Sequence, residues 1–170
     1  LEACLHYWLR TLPYFRGREM PFLLHELPLR ITVSDGEGTG SVAVAWWRPG
    51  CPDHVVQVTQ MEVPLAWRAE WQDSKSRDIN EIEAVRRILA LTTWPQIQDA
   101  LWTHYIDNEA AKFSMVRGSS KAISMNKIVY ETWELIARKR LYPLPDRADT
   151  KDNPVDLASR RNLNDVYQQG

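Results

Sequence analysis

Hydrophobic and polar positions change their spacing several times along the chain, and each change predicts a different element. Apolar residues recur every three or four positions over 1–12, which predicts a helix. Three short segments rich in β-branched residues, separated by Gly and Pro turns, predict strands at 29–35, 41–47 and 54–63. Because the turns are short, we expect these strands to form an antiparallel meander.

Helical and extended patterns alternate after the meander. Asn80 is predicted to cap a helix that continues to about Thr93, and a fourth strand is predicted at 101–106. Since this strand is connected to the meander through a helix, we expect it to pair in parallel. Two further helices are predicted, one at 108–116 and a longer one at about 119–140 that begins with two serines.

The last part of the chain predicts an edge strand and a final helix. Residues 141–149 are extended, and Pro143 and Pro145 favour the edge of a sheet because proline has no N–H to donate. Asn153 can cap a helix that has Pro154 at its first position. The predicted fold class is therefore α/β, a mixed sheet flanked by helices.

Composition fits a single globular domain. The chain has 170 residues, of which 44% are hydrophobic and 25% charged. No apolar segment reaches membrane-spanning length and no signal sequence opens the chain, so an intracellular protein is expected. Cys4 and Cys51 form no metal-ligating motif, which argues against a zinc site or a disulfide framework. Because Leu1 opens directly into a helical pattern, we expect a fragment of a longer polypeptide.

Charge is nearly balanced overall but uneven in one region. The formal net charge is -1, which argues against a general polyanion binder. Residues 117–140 carry six Lys or Arg side chains against two glutamates. This region is the candidate for a local basic face.

Four carboxylates stand at the ends of predicted elements. Asp35 ends the first strand, and Asp107 ends the fourth where the strand changes to a helix. Glu83 and Asp156 stand in the first turns of two helices, and Glu81 is a rival for the position of Glu83. Open α/β sheets place their chemistry at the carboxyl ends of strands. Clustered carboxylates repel one another unless cations bind them, and oxygen ligands suit Mg²⁺ or Mn²⁺.

Four short motifs surround these carboxylates and follow one another in a recognisable order. They are Ile31-Thr32-Val33-Ser34-Asp35 with Gly40, Ile79-Asn80-Glu81-Ile82-Glu83-Ala84, Tyr105-Ile106-Asp107-Asn108-Glu109-Ala110-Ala111 with Gly118-Ser119-Ser120, and Asn153-Pro154-Val155-Asp156-Leu157-Ala158-Ser159-Arg160. With these motifs the chain resembles the ribonuclease H domain of retroelement reverse transcriptases, most closely the branch found in tyrosine-recombinase (LTR-type) retrotransposons. The resemblance covers roughly residues 29–166.

The resemblance implies a fold, an activity and a role for each carboxylate. The implied fold is a ribonuclease H-like mixed sheet of five strands, and the implied activity is two-metal cleavage of the RNA strand of RNA–DNA hybrids. Asp35 would bridge two Mg²⁺ or Mn²⁺ ions. Glu83 and Asp107 would complete the site of the ion nearer the leaving group, and Asp156 would hold the ion that activates water.

The resemblance also implies partners and boundaries. Residues 1–28 would connect the domain to an upstream polymerase domain, and 167–170 would be a frayed tail. The hybrid would be contacted through phosphates and 2′-hydroxyls, with little sequence preference. The candidates for this contact follow the Asp107 helix: Arg117, Ser119, Lys121 and Lys127.

Two features depart from the family pattern and leave a silent remnant as an alternative. Glu37 stands two residues after Asp35, where the family usually has a small or hydroxyl residue. No histidine occurs between 141 and 156, although many ribonucleases H carry one on a loop before the last carboxylate. A domain that only binds nucleic acid or packs against a polymerase would explain both departures.

A second alternative keeps the fold and changes the reaction. Asp35-x-Glu37, Asp107 and Tyr142-x-x-x-Asp146 imitate the spacing of 3′–5′ proofreading exonucleases. This motif needs a helix at its last part, which two prolines disfavour.

Overall fold

The computed structural model describes residues 2–15, 26–50, 56–72, 78–148, 153, 155 and 156. The predicted last helix from 154, the tail at 167–170 and most of the 13–28 connection lie outside these residues, apart from short flanking pieces. No helix among the described residues is long and apolar enough to cross a membrane.

Five strands form one mixed sheet with the spatial order β3-β2-β1-β4-β5. Their bounds are Leu29–Gly36 (β1), Ser41–Trp47 (β2), Gln57–Glu62 (β3), Leu101–Ile106 (β4) and Tyr142–Arg147 (β5). The first three strands pair antiparallel, β4 pairs parallel to β1, and β5 pairs parallel to β4. The predicted mixed sheet, with an antiparallel meander followed by parallel strands and a proline-containing edge strand, is confirmed.

The described residues form five α-helices beside the sheet. Their bounds are Glu2–Thr11 (α1, followed by a 3-10 turn), Leu65–Gln72 (α2), Ile79–Thr93 (α3), Glu109–Arg117 (α4) and Ile123–Arg138 (α5). Helix α1 packs against α5, where Arg10 forms ion pairs with Glu131 and Glu134. The helices predicted at 1–12, 80–93, 108–116 and 119–140 are therefore present with shifted ends, whereas the predicted last helix lies outside the described residues.

The two faces of the sheet bury different clusters, because successive side chains of a strand point to opposite sides. On β2, Val42 and Val44 belong to the large core that also contains residues of α3 and α5, such as Ile82 and Ile128. The opposite face has a smaller cluster, formed by Val33, Ala43, Ala45 and Val155. Val155 therefore lies on the side of the sheet that faces away from α3 and α5.

Two predicted helix caps are wrong. Asp78, not Asn80, precedes α3, and its carboxylate binds Arg68 at 2.9 Å instead of capping the helix. Helix α5 begins at Ile123 rather than at the two serines, because Ser120 is held in a turn by bonds to Asn126. Of the third strand predicted at 54–63, residues 57–62 are observed, and 51–55 lie outside the described residues.

Candidate metal centre

Three of the four predicted carboxylates converge at one edge of the sheet. Asp35 is at the end of β1, Glu83 is in the first turns of α3, and Asp107 follows β4. One oxygen of each lies within 4.8 Å of the others, and Asp35 and Glu83 are buried. Because β1 and β4 run parallel as neighbours, their carboxyl ends meet at the same edge. The two aspartates are thereby brought together by the sheet itself.

Helix α3 presents Glu83, not Glu81, to this group. Residues two apart on a helix point about 200° apart around the axis. Glu81 is also buried, but its carboxylate accepts a hydrogen bond from Ser124 Oγ at 2.7 Å, near the start of α5. Because the two side chains point in different directions, Glu83 joins the carboxylate group and Glu81 does not.

Asp107 does not serve as the helix cap that follows β4. Asn108 takes that part, since its Oδ1 accepts a hydrogen bond from Ala111 N at 2.9 Å. The amide of Asn108 also donates to Asn80 Oδ1 at 3.0 Å, which connects the first turn of α3 to that of α4. The elements that carry Glu83 and Asp107 are therefore tied together one residue from the carboxylate of Asp107.

A fully buried arginine lies among the three carboxylates. Arg86 Nη1 is 3.8 Å from Asp35 Oδ1, and Nη2 is 3.6 Å from Asp107 Oδ1 and in contact with Glu83. Its Nε donates to the Glu83 carbonyl at 2.9 Å. Burial lowers the pKa of Arg86 to about 10, while Asp107 and Asp35 oppose the shift. Arg86 therefore remains a cation at neutral pH.

The donor set fits a divalent ion. Carboxylate oxygens are the ligands that Mg²⁺ and Mn²⁺ prefer. Opposite oxygen ligands of a six-coordinate Mg²⁺ are about 4.2 Å apart. For comparison, one oxygen of each of the three carboxylates lies within 4.8 Å of the others. Arg86 offsets one of the three formal negative charges, so the cluster keeps an excess of negative charge in a buried place. The role of Arg86 was not predicted from the sequence, in which its position three residues after Glu83 is the only indication that the two side chains meet.

Asp156 is placed near this edge but outside the group of three. Asn153 Nδ2 donates to the carbonyl of Ser34 at 3.1 Å, and Ser34 directly precedes Asp35. Asn153 Oδ1 accepts from Val155 N at 3.1 Å, which agrees with its predicted capping role. Val155 is buried against the sheet, and Asp156 follows it, half-buried. Asp156 thus stands three residues after Asn153, which is bonded to β1 next to Asp35.

Glu37 belongs to the β1–β2 turn and not to the acidic group. Its carboxylate accepts a hydrogen bond from Thr39 Oγ1 at 3.2 Å, and its backbone closes the turn with Gly40 and Ser41. Among the described residues, Glu37 is therefore not one of the carboxylates that could hold a metal ion.

Arg68 of α2 fixes this turn, which the sequence did not indicate. Its guanidinium donates to the carbonyls of Gly38 and Thr39, and its Nε binds Asp78 just before α3. Gly40 has φ +105°, and a Cβ there would lie 2.7 Å from Arg68 Nη1. The turn after Asp35 and the start of the Glu83 helix are therefore connected through one side chain.

The four predicted nucleic-acid contacts are all exposed. Arg117 ends α4, Ser119 and Lys121 lie in the connection to α5, and Lys127 is in the second turn of α5. Lys127 is paired with Glu70 at 3.1 Å. The first three residues are therefore the better candidates for phosphate contacts.

The residues required by the exonuclease alternative are not on a helix. Tyr142 and Asp146 lie on β5, and the exposed carboxylate of Asp146 is 3.5 Å from Lys112 Nζ. Asp146 is also outside the carboxylate group. This alternative is contradicted by the edge strand, which the prolines favour.

His104 is a fully buried histidine on β4. Its ring nitrogens bond to Thr32 Oγ1 at 2.6 Å and Ser34 Oγ at 3.2 Å. Burial, with Arg87 and Arg86 adding to it, lowers its pKa well below the usual value. The ring is therefore neutral at physiological pH and connects β4 to β1.

Comparison with known proteins identifies the fold. No protein-family model and no curated protein matches the sequence. Among solved structures, the N-terminal ribonuclease H domain of a Mycobacterium tuberculosis protein, studied as a fusion with maltose-binding protein, aligns with a TM-score of 0.59 at 12% identity, covering 84% of this chain and 98% of that one. Ribonuclease H1 from the halophilic archaeon Halobacterium salinarum aligns with a TM-score of 0.55 at 12% identity, covering 81% and 98%. The protein therefore has the ribonuclease H fold.

Proposed function

We propose that the protein is a metal-dependent endonuclease that hydrolyses the RNA strand of RNA–DNA hybrids. The observation that carries this proposal is the cluster of Asp35, Glu83 and Asp107 at the carboxyl ends of β1 and β4. The similar solved structures are named as ribonuclease H proteins, and this chain shares their fold. Cations bound by the three carboxylates would offset the cost of burying their like charges together.

Each carboxylate has a proposed part in holding two Mg²⁺ or Mn²⁺ ions. Asp35 would bridge them, Glu83 and Asp107 would complete one site, and Asp156 would complete the other. Bound there, the ions would supply Lewis-acid stabilisation of the phosphate and a more acidic water. The chain itself orients the ligands: the Asn108–Asn80 bond holds the Asp107 and Glu83 elements together, and Asn153 holds the Asp156 segment against β1.

Arg86 supports the proposal as a counter-cation within the acidic group. Because it contacts all three carboxylates, it limits their repulsion when no ion is bound. It also reduces the net negative charge of the group, so we expect that a higher metal concentration is required than for an arrangement without Arg86.

The substrate would approach over the connection between α4 and α5. Arg117, Ser119 and Lys121 are exposed there, with Lys127 nearby. Contacts from these side chains to phosphates would position the hybrid without reading its sequence. The two strands would be distinguished by the 2′-hydroxyl groups of the RNA.

The wider context follows from the motif resemblance. We propose an intracellular retroelement reverse transcriptase, in which residues 1–28 connect the 29–166 domain to an upstream polymerase domain. The packing of α1 on α5 through Arg10 agrees with a connection that rests on the domain surface.

The test is cleavage of a labelled RNA–DNA hybrid in Mg²⁺ and in Mn²⁺. We expect internal cuts in the RNA strand that EDTA abolishes, and no cuts in single-stranded DNA. Asp156→Asn should lose activity, whereas the matched surface variant Asp146→Asn should keep it. A folded protein that cuts no hybrid in either metal would contradict the proposal.

The second candidate is a silent domain that binds nucleic acid or packs against a polymerase. The observation that favours it is Arg86, which already places a positive charge in the acidic group. It predicts that the protein binds the hybrid in both metals, that no cleavage occurs, and that Arg86→Met does not restore cleavage. Cleavage by the wild type excludes this candidate.

A further inference from the structure

Arg87 is a second buried arginine, and its surroundings differ from those of Arg86. It is 1% exposed, and its Nε, Nη1 and Nη2 have no hydrogen-bond partner among the described residues. No carboxylate of the described part of the chain forms an ion pair with it, whereas Arg86 contacts three. A buried guanidinium without an anion is costly, since buried charges normally have partners. An anion from outside the described residues is therefore expected to bind there.

Arg87 lines a cavity of about 170 Å³. The cavity lies between the sheet and the helices, with Trp102 and His104 of β4, Pro143 and Pro145 of β5, and Trp133 of α5 around it. Val116 of α4, which is 58% exposed, also lines it. The site is therefore accessible from the surface near α4 and has mainly aromatic and aliphatic walls.

The other polar groups of the cavity are already bonded within the protein. Trp102 Nε1 donates to Thr32 Oγ1 at 2.9 Å, and Trp133 Nε1 donates to the Met115 carbonyl at 3.2 Å. The ring of His104 bonds to Thr32 and Ser34. Among the described residues, the guanidinium of Arg87 is thus the lining group whose donors remain available to a ligand.

We propose that this cavity is a binding site for a small organic carboxylate with a flat apolar body. A carboxylate matches the planar fork of a single guanidinium, which can donate two parallel hydrogen bonds to it. The apolar walls suit a ring or a short hydrocarbon, and a cavity of about 150 Å³ is known to hold a benzene-sized guest. A phosphate, with more charge and more acceptors, would require further donors that the walls do not offer.

The site is separate from the carboxylate group, although Arg86 and Arg87 are adjacent on α3. Residues next to each other on a helix point about 100° apart, so one guanidinium reaches the acidic edge and the other reaches the cavity. The inference does not depend on the proposed nuclease activity.

The test is calorimetric titration of the whole chain with benzoate, with benzamide as its neutral counterpart. We expect saturable benzoate binding and at least about tenfold weaker benzamide binding, because a hydrogen bond from a guanidinium to a charged carboxylate is stronger than one to a neutral amide. Arg87→Met should lose the preference for benzoate, and the surface variant Arg48→Met should retain it. In the wild type, the indole NMR signals of Trp102 and Trp133 should shift on titration with benzoate.

Three results would overturn the inference. The first is the absence of saturable benzoate binding to the wild type together with unshifted indole signals, a result that does not depend on how a variant folds. The second is equal binding of benzoate and benzamide. The third is saturable binding of inorganic phosphate in place of benzoate, which would exclude a carboxylate as the ligand class.

Discussion

Replacing Arg86 with methionine should destabilise the protein, and metal should restore part of the loss. Arg86 is fully buried and contacts Asp35, Glu83 and Asp107. Removing one partner of a buried ion pair typically costs about 3–5 kcal/mol, because the remaining charge keeps its desolvation penalty. For a chain of this size, that loss corresponds to a fall of roughly 6–20 °C in Tm.

The assay is urea unfolding of wild type and Arg86→Met in EDTA and in saturating Mg²⁺ or Mn²⁺. A ligand at a hundredfold excess over its Kd stabilises the native state by about 2.7 kcal/mol. The gain should be larger in the variant than in the wild type, because the variant lacks the cation that opposes metal binding.

Arg87→Met is the matched control for this measurement. Arg87 is the neighbouring arginine and is equally buried, but it has no ion pair among the described residues. Its replacement with an apolar side chain of similar length should be neutral or stabilising. The reasoning is refuted if Arg86→Met is as stable as the wild type in EDTA, or if metal stabilises both proteins equally.

Three further predictions concern the turn, the buried histidine and the basic face. Gly40→Ala should destabilise the protein by about 1–3 kcal/mol in urea unfolding, because φ is +105° and a Cβ would meet Arg68. Gly38→Ala should be nearly neutral, because a Cβ at Gly38 meets nothing within 4 Å. Equal effects of the two substitutions would refute the argument. The pKa of His104 is held well below its usual value, so below about pH 6.5 the unfolded state binds a proton that the folded state does not, and stability is lost as pH falls. His104→Gln should show a shallower loss of unfolding free energy between about pH 6.5 and 4.5. An unchanged dependence of stability on pH would contradict this role. Lys121→Ala should weaken hybrid binding and reduce the salt slope by about one, whereas Lys112→Ala should not, and an unchanged slope for Lys121→Ala would exclude the contact.

The sheet could be predicted from the sequence because strands and turns are determined by residues that are close together in the chain. Alternating β-branched residues and short Gly or Pro turns favour a meander, and a helix between strands favours parallel pairing. Pro143 and Pro145 indicated the edge position of β5 for the same kind of reason. These features depend on residues that are near one another in sequence, so their pattern is visible in the chain.

The interior of the site was only partly predictable. Asp35, Glu83 and Asp107 stand at element ends that a mixed sheet brings together, so their grouping could be expected. The burial of Arg86 could not, because a charged residue in a helical pattern normally faces solvent. Its burial depends on carboxylates that are distant in sequence. The cap at Asp78 failed for a similar reason, since its carboxylate binds Arg68 from another helix.

The comparison of Asp107→Asn with Glu81→Gln in metal-dependent cleavage of an RNA–DNA hybrid tests the central claim most directly. Each substitution replaces an acidic side chain with its neutral amide, but only Asp107 belongs to the group of three carboxylates. The account predicts that Asp107→Asn folds and loses cleavage in Mg²⁺ and Mn²⁺, while Glu81→Gln retains it through the preserved bond from Ser124. Normal cleavage by folded Asp107→Asn would show that the metal centre has been placed on the wrong residues.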